Sequence, residues 1–481
     1  MNDSMIRLIL AWVLKFTGVF LLLPCLVAVI FQESVGIYYL ITALCSLGAG
    51  FLLGKKKVKN TVFYAKEGFV TVALCWILVS VIGAIPFFAS GEIPNIVDAL
   101  FESVSGFTTT GASILTDVDA LSHTAIFWRS FSHWIGGMGI LVFIMAILPL
   151  ADGYNMHLMR AESPGPSVGK LVPKVKATAL TLYGMYIALT VVMIVILTCT
   201  ELNFFEAVNL SFATAGTGGF GITNAGIGGY SHAVQNIITV FMLLFGVNFN
   251  AYFLLFVMRK PKYAIKNEEV RYYLGIFAAA VVLIVINARG SFESVKDAIH
   301  HVAFTVSSLL TSTGFGTVDY CQWPMFSQML LLVVLCIGAC AGSTGGGFKV
   351  SRVILLLKIA KNEISYLIHP NRVRQIRFDD RVVPKETRRS VQTYLVVYVG
   401  IAAVSLLILS LNGLDFATTA SSVVATLNNT GPGIGLIGPT GNYSIFSPVS
   451  KVVLIFNMLA GRLELFPLLL LFLPITWRKW K

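Results

Sequence analysis

The sequence predicts an all-α polytopic membrane protein, with a leading helical hairpin followed by four span/pore-loop/span repeats in a pseudo-fourfold arrangement around one pore. Three observations carry that expectation. The 481 residues are 56% hydrophobic and only 12% charged, with a mean hydropathy of +0.80, too apolar for a soluble chain to cover with polar surface. Apolar runs long enough to cross a hydrocarbon core of ~30 Å recur at 8–31, 36–54, 68–89, 125–150, 178–200, 233–258, 272–288, 324–358, 391–411 and 445–475. Finally, a short polar helix-like stretch runs into a Thr-Gly step four times, each time between two apolar runs: Thr110-Gly111, Thr217-Gly218, Thr313-Gly314 and Thr430-Gly431.

Residues 1–60 form the expected hairpin. Its first apolar run follows MNDSMIR without a small-residue cleavage site, so it reads as a retained helix. The four repeats follow at 61–155, 156–262, 263–361 and 362–481. Their Thr-Gly steps stand roughly a hundred residues apart, too long for a solenoid period and suited to two spans with a half-buried loop between them. Both termini then fall on one side. The basic residues cluster on that same side, at Arg7 and in 55–66, 160–176, 259–271, 352–389 and 478–481, against Arg129, Arg289, Lys296 and Lys451 in the opposite loops. That asymmetry marks the basic side as cytoplasm and argues against nucleic acid as the reason for the net charge of +12. The long polar stretch 361–389 reads either as a docking surface or as simple charge anchoring. The seven cysteines show no paired spacing and are assigned to packing.

The segments before the Thr-Gly steps, such as NIVDALFESVSGFTTTG, are too short and too polar to span. Irregular backbone at membrane depth is tolerated only where it is buried in protein or lines water, so four such segments imply one shared aqueous path. A glycine at each step permits φ > 0 and lets successive carbonyls face an axis, where they can replace a cation's water shell. The expected ring is Thr109, Thr110, Gly111; Gly216, Thr217, Gly218; Ser312, Thr313, Gly314; and Asn429, Thr430, Gly431. Any single Thr-Gly dipeptide is also an ordinary turn; the fourfold placement is what argues for a filter. Each loop offers one central glycine, so discrimination between potassium and sodium is expected to be modest. Glu102 and Glu206, near the pore helices, either add negative potential or accept bonds from loop amides.

The second span of the third repeat is interrupted by Gly338, Gly342, Ser343, Thr344, Gly345, Gly346 and Gly347. Glycine costs about 1 kcal/mol relative to alanine inside a helix, so the cluster predicts a break: an intramembrane gate, or close packing by small residues. Lys349 follows it, and Arg462 lies in the last span, where a charge needs a partner or water. Arg462 either projects into the ion path or pairs with a carboxylate of another helix.

Other motifs fail on spacing. GSTGGGFK lacks the Lys-Ser/Thr ending of a phosphate loop, and Gly433, Gly435 and Gly438 match GxGxxG without a strand before them. His123, His133, His157, His232, His300, His301 and His369 include no HExxH pair, and the adjacent His300 and His301 come with no carboxylate set for zinc, so they read as interfacial or packing residues. No convergent catalytic set is legible.

The loops FTTTG, FATAGTGGFG, TSTGFG and NNTGPG, with WIGGMGI at 134–140, PGP at 164–166, GSTGGGFK at 342–349 and GRLE at 461–464, together resemble the TrkH/TrkG/KtrB family of potassium-uptake proteins, the TrkH branch in particular. The resemblance implies a filter at the four positions named, with K+ as the permeating ion. It also implies a gating loop at about 339–348, a pore-facing Arg462 that hinders ion passage, and a homodimer in the plasma (inner) membrane. Members of the family sit on a cytosolic ring of nucleotide-binding, TrkA-like RCK subunits. No such domain is legible in this chain, so the resemblance places any nucleotide on the partner, with 155–176, 259–271 and 361–389 as docking faces. A sodium- or proton-coupled potassium symporter and a sodium-permeable member of the same family stay open as alternatives.

Overall fold

The computed structural model describes residues 1–56, 64–139, 175–371 and 375–477, without the side chains of 175–178. The PGP at 164–166, Ile140, the end of the run 125–150, most of the docking face 155–176 and the terminal 478–481 lie outside the described residues.

Within them the chain is helical apart from a two-stranded hairpin, β1 (Arg377–Phe378) with β2 (Arg381–Val382). The leading segment is α1 (Asp3–Phe20), α2 (Leu22–Phe31) and α3 (Gly36–Gly54). Small residues let α1 and α3 approach closely: a Cβ on Gly18 would stand 2.9 Å from the Ala43 carbonyl oxygen, and one on Gly50 would stand 2.9 Å from that of Ala11. The turn after α2 latches this hairpin onto the first repeat, because Glu33 accepts the backbone N–H groups of His123 and Thr124 and the Thr124 hydroxyl, at 2.8, 3.0 and 2.6 Å.

Each repeat is a first span, a short re-entrant helix and a second span. They are α4 (Ala65–Ala89), α5 (Ile96–Phe107) and α6 (His123–Met138); then α7 (Val175–Thr198), α8 (Phe204–Ala215) and α9 (His232–Gly246), with α10 (Phe249–Val257) beyond. The third is α11 (Glu268–Ala288), α12 (Val295–Leu310) and α13 (Met325–Ile337), continuing to α14 (Val350–Ile368). The fourth is α15 (Lys385–Leu409), α16 (Phe416–Leu427) and α17 (Pro448–Arg462), continuing to α18 (Phe466–Phe472).

The short helices α5, α8 and α16 have 12 residues each, which at ~1.5 Å per residue reach barely past half of a bilayer core. Each of the four starts on a side chain that caps it: Asn95, Asn203, Ser294 and Asp415 accept the free N–H groups of the first turn. Pore-loop order therefore begins with a polar residue placed where a spanning helix would have continued.

The second spans depart from the sequence expectation. The apolar runs 233–258 and 445–475 read as single crossings, yet among the described residues every second helix stops at a comparable point of its repeat. α6 ends at Met138 before Gly139 (φ 82°), α9 meets α10 at 91°, α13 ends before Gly338 (φ 74°), and α17 ends before Glu464 and Leu465 (φ 62° and 63°). The first break has Gly136, Gly137 and Gly139 and the third the longer cluster from Gly338 to Gly347. The second is made by Asn248, whose side chain caps α10, and the fourth by left-handed Glu464 and Leu465, neither of which hydrophobicity can flag.

Candidate functional site

The four loops repeat one hydrogen-bond scheme. At the end of α5, the Thr109 N–H bonds the Gly106 carbonyl at 3.1 Å and the Thr110 N–H bonds Ser105 at 2.9 Å. The equivalents are Thr217 to Thr214 and Gly218 to Ala213, both at 2.9 Å; Ser312 to Leu309 at 3.2 Å and Thr313 to Ser308 at 2.8 Å; and Asn429 to Thr426 at 3.2 Å and Thr430 to Ala425 at 2.9 Å. This is the Schellman ending of a helix, which demands a left-handed residue at its hinge. The hinge is Thr109 (φ 55°), Thr217 (54°), Ser312 (55°) and Asn429 (52°), none of them glycine. Two residues on, Gly111, Gly219, Gly314 and Gly431 are also left-handed, at φ 75°, 75°, 86° and 84°.

The register of the second loop thus sits one residue beyond the Thr-Gly alignment: Thr217, Gly218 and Gly219 match Thr109, Thr110 and Gly111, while Gly216 matches Thr108. Gly216 and Gly218 are small for another reason. A Cβ on Gly218 would stand 2.2 Å from the His133 ring, and one on Gly216 would stand 2.2 Å from the His133 carbonyl oxygen.

The loops close a cycle. A Cβ on Gly111 would lie 1.9 Å from the Gly218 carbonyl oxygen, on Gly219 1.9 Å from that of Thr313, on Gly314 2.2 Å from that of Thr430, and on Gly431 2.6 Å from that of Thr110. Glycine is required there because backbone packs on backbone around the ring. Two tiers of carbonyls remain without a donor among the described residues: those of Thr109, Thr217, Ser312 and Asn429, and those of Thr110, Gly218, Thr313 and Thr430. All eight residues are buried. Below them the Thr217 and Ser312 hydroxyls turn back onto the Gly216 and Thr311 carbonyls at 2.6 Å, and above them Tyr443 Oη donates to the Gly431 carbonyl at 2.6 Å. These bonds occupy carbonyls on either side of the two tiers, whose own oxygens accept none among the described residues.

Glu102 and Glu206 sit apart from those oxygens. Glu102 is paired with Arg129 at 2.9 Å and accepts the Ile114 N–H at 3.1 Å, so it holds loop 1 and its charge is neutralised. Glu206 closes a capping box with Asn203.

The residues of the break in the third repeat lie directly under the loops. The Gly346 N–H donates to Ser312 Oγ, and a Cβ on Gly346 would stand 2.5 Å from the Asn428 carbonyl oxygen. Thr344 Oγ1 donates to the Phe245 carbonyl at 3.2 Å, and the Phe249 N–H to the Gly342 carbonyl at 3.0 Å, which seats the segment on the α9–α10 break. Lys349 is buried and its Nζ donates to the Gly345 carbonyl. Arg462 reaches the same segment from α17. Its guanidinium donates to the Thr344 carbonyl at 3.0 Å and to the Gly137 carbonyl at 2.8 Å, and also to Gly136. Arg462 therefore clasps the break to the end of α6; Glu464 pairs with Arg352 instead. Gly342, Ser343, Gly345, Gly346, Gly347, Lys349 and Arg462 line a cavity of about 80 Å³, large enough to admit water.

Sequence reasoning missed Glu269. It is buried at the start of α11 and accepts the Ala341 N–H at 2.7 Å, the Ser351 N–H at 3.1 Å and Asn248 Nδ2 at 3.2 Å. It thereby pins both ends of the break and the corner of α9–α10. A carboxylate at the edge of an apolar run looks like an ordinary helix N-terminal acid, and only the fold brings its three donors to it.

Four repeats of span, re-entrant helix and span, whose glycine loops pack on one another in a closed cycle, define a class of polytopic helical membrane protein. Comparison places the chain within it. Residues 37–477 match the TrkH model, described as "Cation transport protein". The chain is 39% identical to the Trk system potassium uptake protein TrkH of Escherichia coli K12, covering 98% of this chain and 99% of that one. It is 31% identical to the TrkG protein of the same organism over 99% of its length. The crystal structure of the potassium transporter TrkH from Vibrio parahaemolyticus superposes with a TM-score of 0.88 at 33% identity, covering 99% of this chain. This chain belongs to the TrkH family of cation transport proteins.

Proposed function

We propose that this chain takes up potassium across the plasma membrane through one channel-like pore. The observation that carries the reading is the double tier of eight buried carbonyls without a donor. Leaving a buried acceptor unmade costs about 1–3 kcal/mol, and a dehydrated monovalent cation on the axis is the ligand that would meet all of them together. The relatives named as potassium uptake proteins support K+ as that ion. The coordinating residues are Thr109, Thr110, Thr217, Gly218, Ser312, Thr313, Asn429 and Thr430, with Gly111, Gly219, Gly314 and Gly431 as the turns that aim them.

The segment from Gly338 to Lys349 is the gate. It stands beneath the ring, and Arg462 holds it closed while placing a fixed positive charge beside the path. In this reading both termini are cytoplasmic and the loops before α6, α9, α13 and α17 face outside. The chain works as a homodimer on a cytosolic RCK-type ring, which carries any nucleotide and docks on the 259–271 and 361–389 segments. Purified protein in liposomes, given K+, Rb+, Na+ and Li+ gradients with and without the ring, tests this. Passive K+ and Rb+ flux that exceeds Na+ flux and increases with the ring is expected. Potassium uptake that requires a Na+ or H+ gradient would replace the channel with a symporter, and equal Na+ flux would make the pore sodium-permeable.

A further inference from the structure

The sequence offers His300 and His301 with no third ligand, and the fold supplies one. His232 opens α9 in the second repeat, and its ring stacks on that of His300 in α12 with centroids 4.4 Å apart; His301 lies 6.0 Å away. One ligand nitrogen from each of the three falls within 4.8 Å of the others. Tetrahedral ligation at ~2.0–2.1 Å needs nitrogens about 3.4 Å apart, so ligation takes a closing shift of the nitrogens and a turn of the His232 ring off its stack on His300. His232 is exposed on the first turn of its helix and is free of the core packing that would resist it.

Two of the rings are already oriented as metal ligands usually are, with one nitrogen tied to an oxygen so that the other keeps its lone pair. His301 Nδ1 lies 3.0 Å from Thr317 Oγ1, leaving Nε2. His300 Nε2 lies 2.7 Å from Gln235 Oε1. Gln235 is itself buried and donates its amide N–H groups to the Ile227 and Tyr230 carbonyls at 3.2 and 2.8 Å, which fixes its oxygen toward His300 and makes Nε2 the protonated nitrogen. Nδ1 then carries the lone pair, opposite Asn236, whose exposed amide can turn away.

We propose that His232, His300 and His301 bind one divalent transition metal of the Zn2+ or Ni2+ kind at the face from which the pore helices enter. The set is three imidazoles with no carboxylate oxygen, so it disfavours Ca2+ and Mg2+. The metal would tie α9 to α12, the helix that leads into the loop of Ser312 and Gly314, and would place two positive charges at the pore entrance. Bound metal therefore slows cation entry, a consequence that rests on the pore reading above; binding itself does not.

The test uses tag-free protein titrated with Zn2+ and Ni2+ by calorimetry, with Co2+ absorption as a second readout, alongside K+ flux into liposomes with metal on one side. One metal per chain is expected, together with a Co2+ spectrum of nitrogen ligation. Affinity should fall at least tenfold in His232→Ala and His301→Gln, and flux inhibition should be lost in the same variants. His232→Ala alters an exposed side chain and should fold normally. Equal affinity of wild-type and His232→Ala for all three metals overturns the site. Binding that is lost in the variants but leaves flux unaltered keeps the site and removes its link to the pore.

Discussion

Gly218 and Gly219 are adjacent and glycine for different reasons, and the difference is testable. Gly219 is left-handed and faces the Thr313 carbonyl, so a methyl group there distorts the ring itself; Gly218 only makes room for His133. Gly219→Ala should lower the K+ over Na+ permeability ratio about tenfold, equivalent to ~1.4 kcal/mol, read from liposome flux. Gly218→Ala should chiefly lower folded yield, and His133→Ala in the same chain should restore it without rescuing Gly219→Ala. Rescue of both would place the two glycines in one steric role. Arg462 makes a different kind of prediction. Its guanidinium spans two carbonyl groups of α6 and one of the gate segment, a geometry lysine cannot reproduce. Arg462→Ala should raise K+ flux several-fold at unchanged selectivity and Arg462→Lys should fall between. A selectivity change in Arg462→Ala would move that residue into the filter.

Between elements, single carboxylates act as clasps. Glu269 joins the two ends of the break to Asn248, and hydrogen bonds to a charged group contribute about 1.5–3 kcal/mol, so Glu269→Ala should raise K+ leak in the absence of the ring subunit and lower the unfolding temperature, with Glu269→Gln milder in both. Glu33 is the clasp of the leading hairpin. Burial pushes its carboxyl up, but the bonds from Thr124 and His123 outweigh that and hold it below the ordinary glutamate value. Its contribution is therefore fully present above the unfolded value of ~4.3 and is lost only as pH falls through the lower folded one. Thermal unfolding between pH 3 and 6 should be less pH-sensitive in Glu33→Gln than in wild type; equal profiles would deny the latch any weight. These clasps also mark what the sequence conveys. Local chemistry was legible: the Thr-Gly steps and the glycine cluster at 338–347 each announce a break in apolar periodicity. The breaks after α9 and α17 were not, because Asn248, Glu464 and Leu465 carry no helix-breaking signature. The register of loop 2 was obscured because three glycines, Gly216, Gly218 and Gly219, compete for one slot. Glu269 and His232 acquire partners some 70 residues away, a distance over which spelling holds no information.

At the scale of the whole molecule the chain must bring its ends together, since the cycle closes only when the fourth repeat meets the first. Asn429 Nδ2 reaches Thr110 Oγ1 at 3.0 Å, the Tyr443 N–H reaches the Ser113 carbonyl at 2.8 Å, and Lys451 pairs with Asp98 at 2.6 Å. Each loop glycine packs on the next loop's carbonyl, so no loop can shift without its neighbours. A ligand that satisfies the axial oxygens should then stabilise all four repeats at once. By mass action a cation at a hundred times its dissociation constant adds ~2.7 kcal/mol to the folded state, enough to move a melting temperature by a few degrees. Purified protein melted at constant ionic strength should therefore be most stable in K+ or Rb+, less so in Na+, and least in choline, an ion too large for a carbonyl cage. Gly314→Ser, which crowds the Thr430 carbonyl, should reduce the gap between K+ and choline while leaving the choline value within a degree or two. If K+ and choline give the same melting temperature, the eight carbonyls do not hold an ion in the resting protein, and the ring would be a structural collar around a path whose selectivity is set elsewhere.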